Sequence, residues 1–284
     1  MAGLKILESA DIGQALRLSK AEGWNQTEKD WQLLIQNSGN VCLAAEIGGK
    51  IAGTATAINY ENNVAWIGMV LVDRQYRGQG LSKRLLSALF EQLKSCRSIK
   101  LDATPAGQPV YRKFGFKDEY LIHRMTSDSV SLKSLSDENT SFAEPVHLNN
   151  IPEIVDLDKQ VFGANRKQLI EFLVKNYTDN AWMIKRNGKI TGFALGREGT
   201  RFFQVGPVLA STILDAKNLI VKSLRLLEGQ QAVVDILEDK VELTEWLETL
   251  GFVKQRHFIR MYRNDNPYPG IPGNHYLIAG PEFG

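Results

Sequence analysis

The sequence predicts a fold that combines α-helices and β-strands (α/β, with the mixed sheet of the α+β type). This fold is predicted to be present in two tandem copies. Two observations lead to this prediction. Short residue blocks recur in the same order at a nearly constant spacing, and strand-like and helix-like apolar periodicities alternate along the chain. A chain of 284 residues also has room for two domains of about 150 residues each.

The internal repeat rests on three blocks. Gly115-Phe116 and Arg124-Met125 recur 136 residues later, Gly49–Gly53 recurs with one change after 139 residues, and Gly23 and Asn25 recur after 140 residues. This period is far above the roughly 20–50 residues of solenoid repeats, so it indicates a duplicated domain.

We therefore predict a first domain over residues 1–127 and a second, diverged domain over 141–263. The segment 128–140 is rich in Ser, Asp and Thr and has no periodic apolar face, as expected of a linker. Residues 264–284 form a tail rich in Asn, Pro and Gly, and we expect its Tyr, Leu and Ile side chains to pack on the body of the protein.

The first copy is predicted to contain its elements in the order β-αα-βββ-α-β-α-β. The strands are apolar or alternating segments. They are Lys5–Glu8, Val41–Glu46, Lys50–Tyr60, Val64–Asp73, Ser98–Ala103 and Phe116–Met125. The helices have apolar residues at three- and four-residue spacing. They are Ser9–Glu22, Thr27–Gln36, Gly80–Ser95 and Gln108–Phe114.

Local signals support individual elements. Thr27 and Asp30 resemble a capping box at the start of the second helix. Gly48-Gly49 is a tight-turn signal that predicts a hairpin between the second and third strands. The run Val64–Val72 carries no charge and is too short to cross a membrane, so it predicts a buried strand.

Composition excludes several classes of protein. The net charge of +2 gives no reason to expect a nucleic-acid or membrane partner. The first residues contain no apolar signal core, and we expect a cytoplasmic protein. Two cysteines, and four histidines without ligand spacing, predict neither a disulfide framework nor a metal site. The sequence leaves the oligomeric state open.

One segment of the first copy indicates a binding site for an anion. A buried strand ends at Asp73, a loop with Gly78 and Gly80 follows, and an amphipathic helix begins directly after it. Glycines allow close approach of the backbone, and a helix N-terminus presents free N–H groups at the positive end of its dipole. Positive charge surrounds the loop, from Arg74, Arg77, Lys83 and Arg84.

Two common phosphate loops do not fit this segment. A Walker A string is absent, and the dinucleotide fingerprint requires a third glycine where Lys83 stands. The pattern Gln/Arg-x-x-Gly-x-Gly/Ala does fit from Arg77 to Ser82, with Ser82 at the last small position. The same letters also match from Gln75, but the position of Val72-Asp73 before the loop favours the register that begins at Arg77.

The loop, the order of elements and the block Pro109–Phe116 resemble the GCN5-related N-acetyltransferases. In that block a short helix with a tyrosine precedes Gly-Phe and the last strand. The two copies, with Gly206-Pro207-Val208 and Arg260-Met261 in the second, resemble the tandem-domain, YitH-type acetyltransferases over nearly the whole chain. The resemblance implies, in each copy, a mixed and mostly antiparallel sheet flanked by helices, with a splayed pair of parallel strands.

The resemblance also implies acetyl-CoA as co-substrate and no metal. Acetyl-CoA would lie where Val64–Asp73 and Ser98–Ala103 splay apart. Backbone groups of the first of these strands would hold the pantetheine arm and the thioester carbonyl; the residues are Val70, Leu71 and Val72. Backbone N–H groups of the loop would hold the pyrophosphate; the residues are Arg77, Gly78, Gln79, Gly80, Leu81, Ser82 and Lys83.

Tyr111 is the candidate catalytic residue, because it stands four residues before Gly115, as the family tyrosine does. A phenol near the CoA sulfur can protonate the leaving thiolate; the alternative is a ring that only packs on the co-substrate. Trp24 and Asn25, between the first two helices, are candidates for the acceptor pocket. No side chain is assigned as general base, since a chain of water molecules can also accept the proton.

The second copy lacks these features. Leu247 stands at the position of Tyr111, and no Arg-x-x-Gly-x-Gly string follows Gly206. Pro207 lacks an N–H group, and Asp215 brings negative charge to where phosphates would lie. We expect this copy to bind no CoA and to cover the acceptor side of the first copy's cleft.

These features predict an acetyl-CoA-dependent N-acetyltransferase. The acetyl group would pass to a primary amine of a small molecule or peptide by direct attack in a ternary complex. The alternative is a non-catalytic acyl-CoA-binding sensor or regulatory protein, which turnover of an amine would exclude. The sequence does not identify the acceptor, and it does not say whether longer acyl-CoAs are used.

Overall fold

The computed structural model describes residues 2–133 and 142–284. Within these ranges, thirteen strands form one continuous sheet with eight α-helices packed on it. Most of the predicted linker, residues 134–140, lies outside the described residues, as do Met1 and Ser141. No helix among the described residues is long and apolar enough to cross a membrane.

The first copy contains six strands and four α-helices. The strands are β1 (Gly3–Ile6), β2 (Val41–Ile47), β3 (Lys50–Tyr60), β4 (Val64–Val72), β5 (Ser98–Ala103) and β6 (Lys117–Ser127). The helices are α1 (Ile12–Ala21), α2 (Glu28–Gln36), α3 (Leu81–Gln92) and α4 (Gln108–Lys113). The predicted order of elements is confirmed.

The second copy repeats this order, and the tail adds one strand. The strands are β7 (Ala143–Pro145), β8 (Trp182–Arg186), β9 (Lys189–Arg197), β10 (Phe203–Ala210), β11 (Ala232–Leu237), β12 (Val253–Asn264) and, in the tail, β13 (His275–Leu277). The helices are α5 (Ile151–Phe162), α6 (Lys167–Asn176), α7 (Ile213–Arg225) and α8 (Val241–Thr249).

Within the first copy, the elements differ from the sequence prediction only at their ends. The first strand lies two residues earlier than predicted, and Ser9–Asp11 form a 3-10 turn before α1. The capping box of α2 is present: the Thr27 hydroxyl accepts from the Asp30 N–H, and the Asp30 carboxylate accepts from the Thr27 N–H at 2.7 Å.

The two copies exchange their last strands. The order across the sheet is β1-β2-β3-β4-β5-β12-β6-β11-β13-β10-β9-β8-β7. Strand β12 of the second copy therefore pairs with β5 of the first, and β6 of the first copy pairs with β11 of the second. The exchanged strands also pair antiparallel with each other, which joins the two copies into one sheet.

Two buried ion pairs mark the exchange. Arg124 on β6 binds Asp235 on β11 through two hydrogen bonds of 2.7 Å, and Arg260 on β12 binds Asp102 on β5 at 2.8 and 2.9 Å. Removing one partner of a buried pair typically costs about 3–5 kcal/mol, because an uncompensated charge remains. This structural requirement explains why Arg124-Met125 recurs as Arg260-Met261.

Each copy contains one pair of parallel strands that separates part of the way along. Strands β4 and β5 are paired only over Val64–Ile67, and β10 and β11 only over Phe203–Val205. In the second copy β13 enters the opening, where Leu277 lies opposite both Val208 of β10 and Ile236 of β11. The tail thus packs on the body of the protein, as the sequence predicts, and it does so inside the second copy's sheet.

Candidate functional site

The opening between β4 and β5 leads into a cleft of about 540 Å³. Its wall is the stretch Ile67–Val72 of β4, which contains a β-bulge: the pairing with β3 skips Met69 and Val70. Met69 has a φ of +50°, and the Thr54 hydroxyl donates to its carbonyl at 2.7 Å. Because of the bulge, Met69 and Val70 have no paired residue on β3. They lie at the point where the cleft begins.

The glycine loop lies at one end of the cleft. Gly78 and Gly80 have φ values of +78° and +74°, in the left-handed region that favours glycine. Gly80 is the N-cap residue of α3. Because glycine has no side chain, it supplies no hydrogen bond to the first N–H groups of this helix. A Cβ atom at either glycine would meet nothing within 4 Å. This geometry fits an anion such as a pyrophosphate.

Charged side chains brace the rim of the cleft. Glu22 binds Arg77 at 2.7 Å and Arg74 at 3.1 Å, and Arg77 also donates to the Val72 carbonyl. Partial burial by itself would raise the pKa of Glu22, but the hydrogen bonds from the two arginines outweigh it and lower that pKa. The two guanidinium groups are therefore held beside the glycine loop.

The structure brings seven of the predicted site residues to the cleft. They are Trp24, Val70, Leu71, Val72, Arg77, Ser82 and Tyr111. Four others are exposed beside it: Gly78, Gln79 and Gly80 on the loop, and Lys83 in the first turn of α3. The side chain of Leu81 packs in the apolar core under α3, so this residue could meet a ligand only through its backbone.

Tyr111 stands where α4 faces the cleft. Its ring packs edge-on against Phe116, with 5.9 Å between centroids, and close to Gly107, where a Cβ atom would lie 3.1 Å from the ring. Burial raises the pKa of the Tyr111 phenol, so the hydroxyl stays protonated at neutral pH. This is the state that a proton donor needs.

Asn25 does not line the cleft. Its side-chain amide donates to the Phe202 carbonyl at 2.9 Å and accepts from the N–H groups of Arg201 and Phe202. Its own carbonyl accepts from the Thr200 N–H. Of the two predicted acceptor-pocket residues, Trp24 lines the cleft, whereas the polar groups of Asn25 join the two copies.

The cleft is also lined by residues that the sequence did not identify as site residues. They are Gln26, Arg124, Arg256, Phe258 and Glu282. Arg256 and Phe258 come from the exchanged strand β12, and Glu282 comes from the tail. Nothing local in the sequence marks Arg256, Phe258 or Glu282, because more than 100 residues separate them from the glycine loop.

The end of the tail lies directly on β4. The Trp66 indole donates to the Pro281 carbonyl at 2.9 Å, and the Tyr60 hydroxyl donates to the Phe283 carbonyl at 3.0 Å. A Cβ atom at Gly68 would lie 3.0 Å from the Glu282 Cα. Glycine at this position thus allows the tail to approach the strand just before the bulge.

Among residues 2–133 and 142–284, no group of three or more His, Cys, Asp or Glu side chains could hold a metal ion. Cys42 and Cys96 are both free and buried.

Comparison with known proteins identifies the family. Residues 11–116 match the model of the acetyltransferase (GNAT) family, and residues 154–277 match a second model, described as an acetyltransferase (GNAT) domain. An uncharacterized N-acetyltransferase of Bacillus subtilis, YitH, is 26% identical over 253 residues, which are 87% of this chain and 86% of that protein. A holothin acyltransferase of a Pseudoalteromonas strain is 24% identical over 222 residues, 78% of this chain and 74% of that protein.

The fold also has a close counterpart among solved structures. A crystal structure described as a putative acetyltransferase from Pyrococcus horikoshii superposes with a TM-score of 0.82 at 20% identity, covering 100% of this chain and 96% of that one. The two family matches fall on the two copies in turn. The chain therefore belongs to the GCN5-related N-acetyltransferase superfamily, as an acyltransferase with two tandem domains.

Proposed function

We propose that the protein is an acetyl-CoA-dependent N-acetyltransferase that acts on a primary amine of a small molecule or peptide. One observation carries the proposal: in the first copy β4 separates from β5, and the short loop after β4 contains the two left-handed glycines that precede α3. A small-molecule acceptor is in keeping with the name of the Pseudoalteromonas relative, a holothin acyltransferase.

Different residues of the first copy bind different parts of acetyl-CoA. Backbone N–H groups from Gly78 to Lys83 bind the pyrophosphate, with Arg74 and Arg77 adding positive charge at the rim. Backbone groups of Val70–Val72 hold the pantetheine arm and the thioester carbonyl. Acetyl-CoA, when bound, supplies an activated acyl group, so the protein itself needs no nucleophilic side chain.

The transfer requires three proton movements. A primary amine is mostly ammonium at pH 7, and it first releases one proton to water. Its nitrogen then forms the C–N bond to the thioester carbonyl carbon, the C–S bond breaks, and the sulfur takes the proton of Tyr111. The second proton lost by the nitrogen returns to Tyr111 through solvent, which restores the enzyme.

Two measurements on the full chain test the proposal. Acetyl-CoA affinity is measured by calorimetry, and CoA release is measured over a panel of primary amines, with longer acyl-CoAs as further donors. We expect binding and amine-dependent CoA release. Tight binding without turnover of any amine would favour the sensor alternative, and absence of binding would contradict both.

A further inference from the structure

We infer that the acceptor is an amino acid, or a similar molecule that carries a carboxylate beside its reacting amine, with Arg256 binding the carboxylate and Glu282 binding the ammonium group. This inference rests on the proposed function and names the acceptor class for the same cleft. Both side chains come from outside the first copy, one from the exchanged strand β12 and one from the tail.

Arg256 is a cation in the cleft that forms no direct ion pair with a carboxylate of the described residues. Its side chain forms no hydrogen bond or ion pair with any residue in the described part of the chain, and its Nε atom is buried without a partner. The guanidinium lies over the Phe258 ring, 5.3 Å from the centroid. Its neighbour Arg124 is different, because Asp235 already neutralises it.

The unpaired guanidinium stays charged under physiological conditions. Burial, together with the positive charge of Arg124, lowers the pKa of Arg256 to about 10, although the negative charges of Asp235 and Glu282 act in the opposite direction; this pKa is still well above neutral pH. A partly buried cation without a directly bound counter-ion is costly, and a carboxylate would relieve that cost through charge-assisted hydrogen bonds. The cleft therefore favours a ligand that brings a carboxylate to this position.

Glu282 belongs to a buried cluster in which two carboxylates share one arginine. Arg197 lies between two carboxylates: it binds Asp30 at 2.9 Å and also binds Oε1 of Glu282. All three side chains are almost fully buried. Arg197 binds only Oε1 of Glu282, and Oε2 has no hydrogen-bond partner among the described residues. An ammonium group would supply the missing donor through a charge-assisted hydrogen bond.

The position of Glu282 suits an acceptor that is about to react. Its backbone lies against Gly68, directly before the bulge at Met69 and Val70. Gln26, another buried residue of the cleft, offers its unpartnered Oε1 atom as a second acceptor for ammonium hydrogens. Trp24 and Phe258 add apolar surface for the rest of the molecule.

The inference is tested by the acceptor preference of the full-length enzyme with saturating acetyl-CoA. The probes are matched pairs of an L-amino acid and its carboxamide, such as L-phenylalanine and L-phenylalaninamide, with pairs for leucine, methionine and glutamine. The two members share the amine and the side chain and differ in the carboxylate. We expect at least one acid to be acetylated with a kcat/KM roughly 10-fold or more above that of its amide, because the acid alone reaches Arg256.

Two variants separate the two roles. Arg256→Met should raise KM for the acids roughly 10- to 100-fold, with little change in kcat and little effect on the amides. Glu282→Gln should lower kcat/KM for acids and amides by similar factors, because both carry the ammonium group. Arg263→Met is the matched control for the first change: Arg263 also lies on β12 and stacks on an aromatic ring, Phe90, but it lies outside the cleft.

Each contrary result has a distinct meaning. Equal kcat/KM for acids and amides in the wild-type enzyme would overturn the inference, and so would equal losses on both in Arg256→Met. The melting temperature and acetyl-CoA affinity of each variant show whether it is folded, and if Glu282→Gln does not fold, the Arg256→Met comparison decides alone. Absence of turnover with every amine would contradict the proposed function itself, whereas turnover without a carboxylate preference contradicts only the acceptor class.

Discussion

The two copies contain the same opening between parallel strands, and they fill it differently. In the first copy the space between β4 and β5 is a cleft of about 540 Å³. In the second copy β13 of the tail occupies the space between β10 and β11 and pairs with both strands. Separated strands expose unpaired N–H and C=O groups, which must find partners. A ligand can supply them in the first copy, and the protein supplies them itself in the second.

The helices that follow the two openings also differ, because only the second has a side-chain cap at its N-terminus. Helix α3 begins after Gly80, which provides no side-chain cap. Helix α7 begins after Thr212, whose hydroxyl accepts a hydrogen bond from the Asp215 N–H at 3.1 Å. Asp215 in turn is buried and ion-paired with Arg186. The N-terminus that could bind a phosphate in the second copy is thus already capped by protein groups.

This contrast shows what the duplication contributes. The second copy has kept the fold and closed its own cleft, and its last strand and the tail contribute to the lining of the first cleft. The two copies are therefore related by origin but complementary in use, and the following variants test that contrast.

The largest effect is expected for a matched pair of charge substitutions. Gly80→Asp places a carboxylate at the N-cap of α3, a position whose left-handed backbone Asp tolerates better than most residues. Repulsion of the pyrophosphate should weaken acetyl-CoA binding by more than about 100-fold, or roughly 3 kcal/mol. Thr212→Asp makes the same change at the N-cap of α7 and keeps a capping side chain, so affinity should be unchanged. Calorimetry measures both, and equal losses would show that the second copy also binds CoA.

The next effect concerns the proton donor. Tyr111→Phe removes only the hydroxyl, so acetyl-CoA affinity should persist while kcat falls by roughly 10²-fold, at the low end of the range for a positioned acid. The control is Leu247→Met at the equivalent position of the second copy, which is fully buried in that copy's core and should leave kcat nearly intact. The measurement is kcat from steady-state kinetics under conditions in which the chemical step limits the rate. A Tyr111→Phe variant with more than about half of the wild-type kcat would leave only a packing role for the ring.

A substitution in β13 tests the closed cleft. Leu277→Ala should lower the free energy of unfolding by about 2–5 kcal/mol, because a fully buried leucine of the second core leaves a cavity. Leu214→Ala on α7 is the control, since that side chain is exposed and its loss should change stability by less than about 0.5 kcal/mol. Denaturant unfolding measures the difference. The number of acetyl-CoA sites should remain one per chain in both variants, and a second site in Leu277→Ala would mean that β13 covers a competent pocket.

The smallest effect is expected at the contact between the copies. Asn25→Ala removes three side-chain hydrogen bonds to Arg201 and Phe202 and should cost about 1–3 kcal/mol of unfolding free energy. Because Asn25 does not line the cleft, KM for the acceptor should hardly change. Asn176→Ala on the exposed end of α6 serves as the control for stability. A large increase in the KM for the acceptor without loss of stability would show that Asn25 does contribute to the acceptor pocket.

The order of elements, the duplication and the glycine loop could all be predicted from the sequence. The signals for these features are local: a helix, a hairpin or a cap depends on residues within about ten positions of one another. Thus Thr27 and Asp30 form the predicted capping box, and Gly78 and Gly80 adopt left-handed backbone conformations. The absence of the tyrosine from the second copy could likewise be seen in the sequence, by aligning Leu247 with Tyr111.

The tertiary structure alone decided the rest. Strands β6 and β12 are homologous, so local sequence cannot indicate that each pairs with the other copy's sheet. For the same reason the sequence did not distinguish Asn25, which joins the copies, from Trp24, which faces the cleft. The closing of the second cleft by β13 and the arrival of Glu282 beside Gly68 depend on contacts between segments far apart in the chain. Such contacts are selected by the packing and pairing of the whole sheet, and no short-range pattern encodes them.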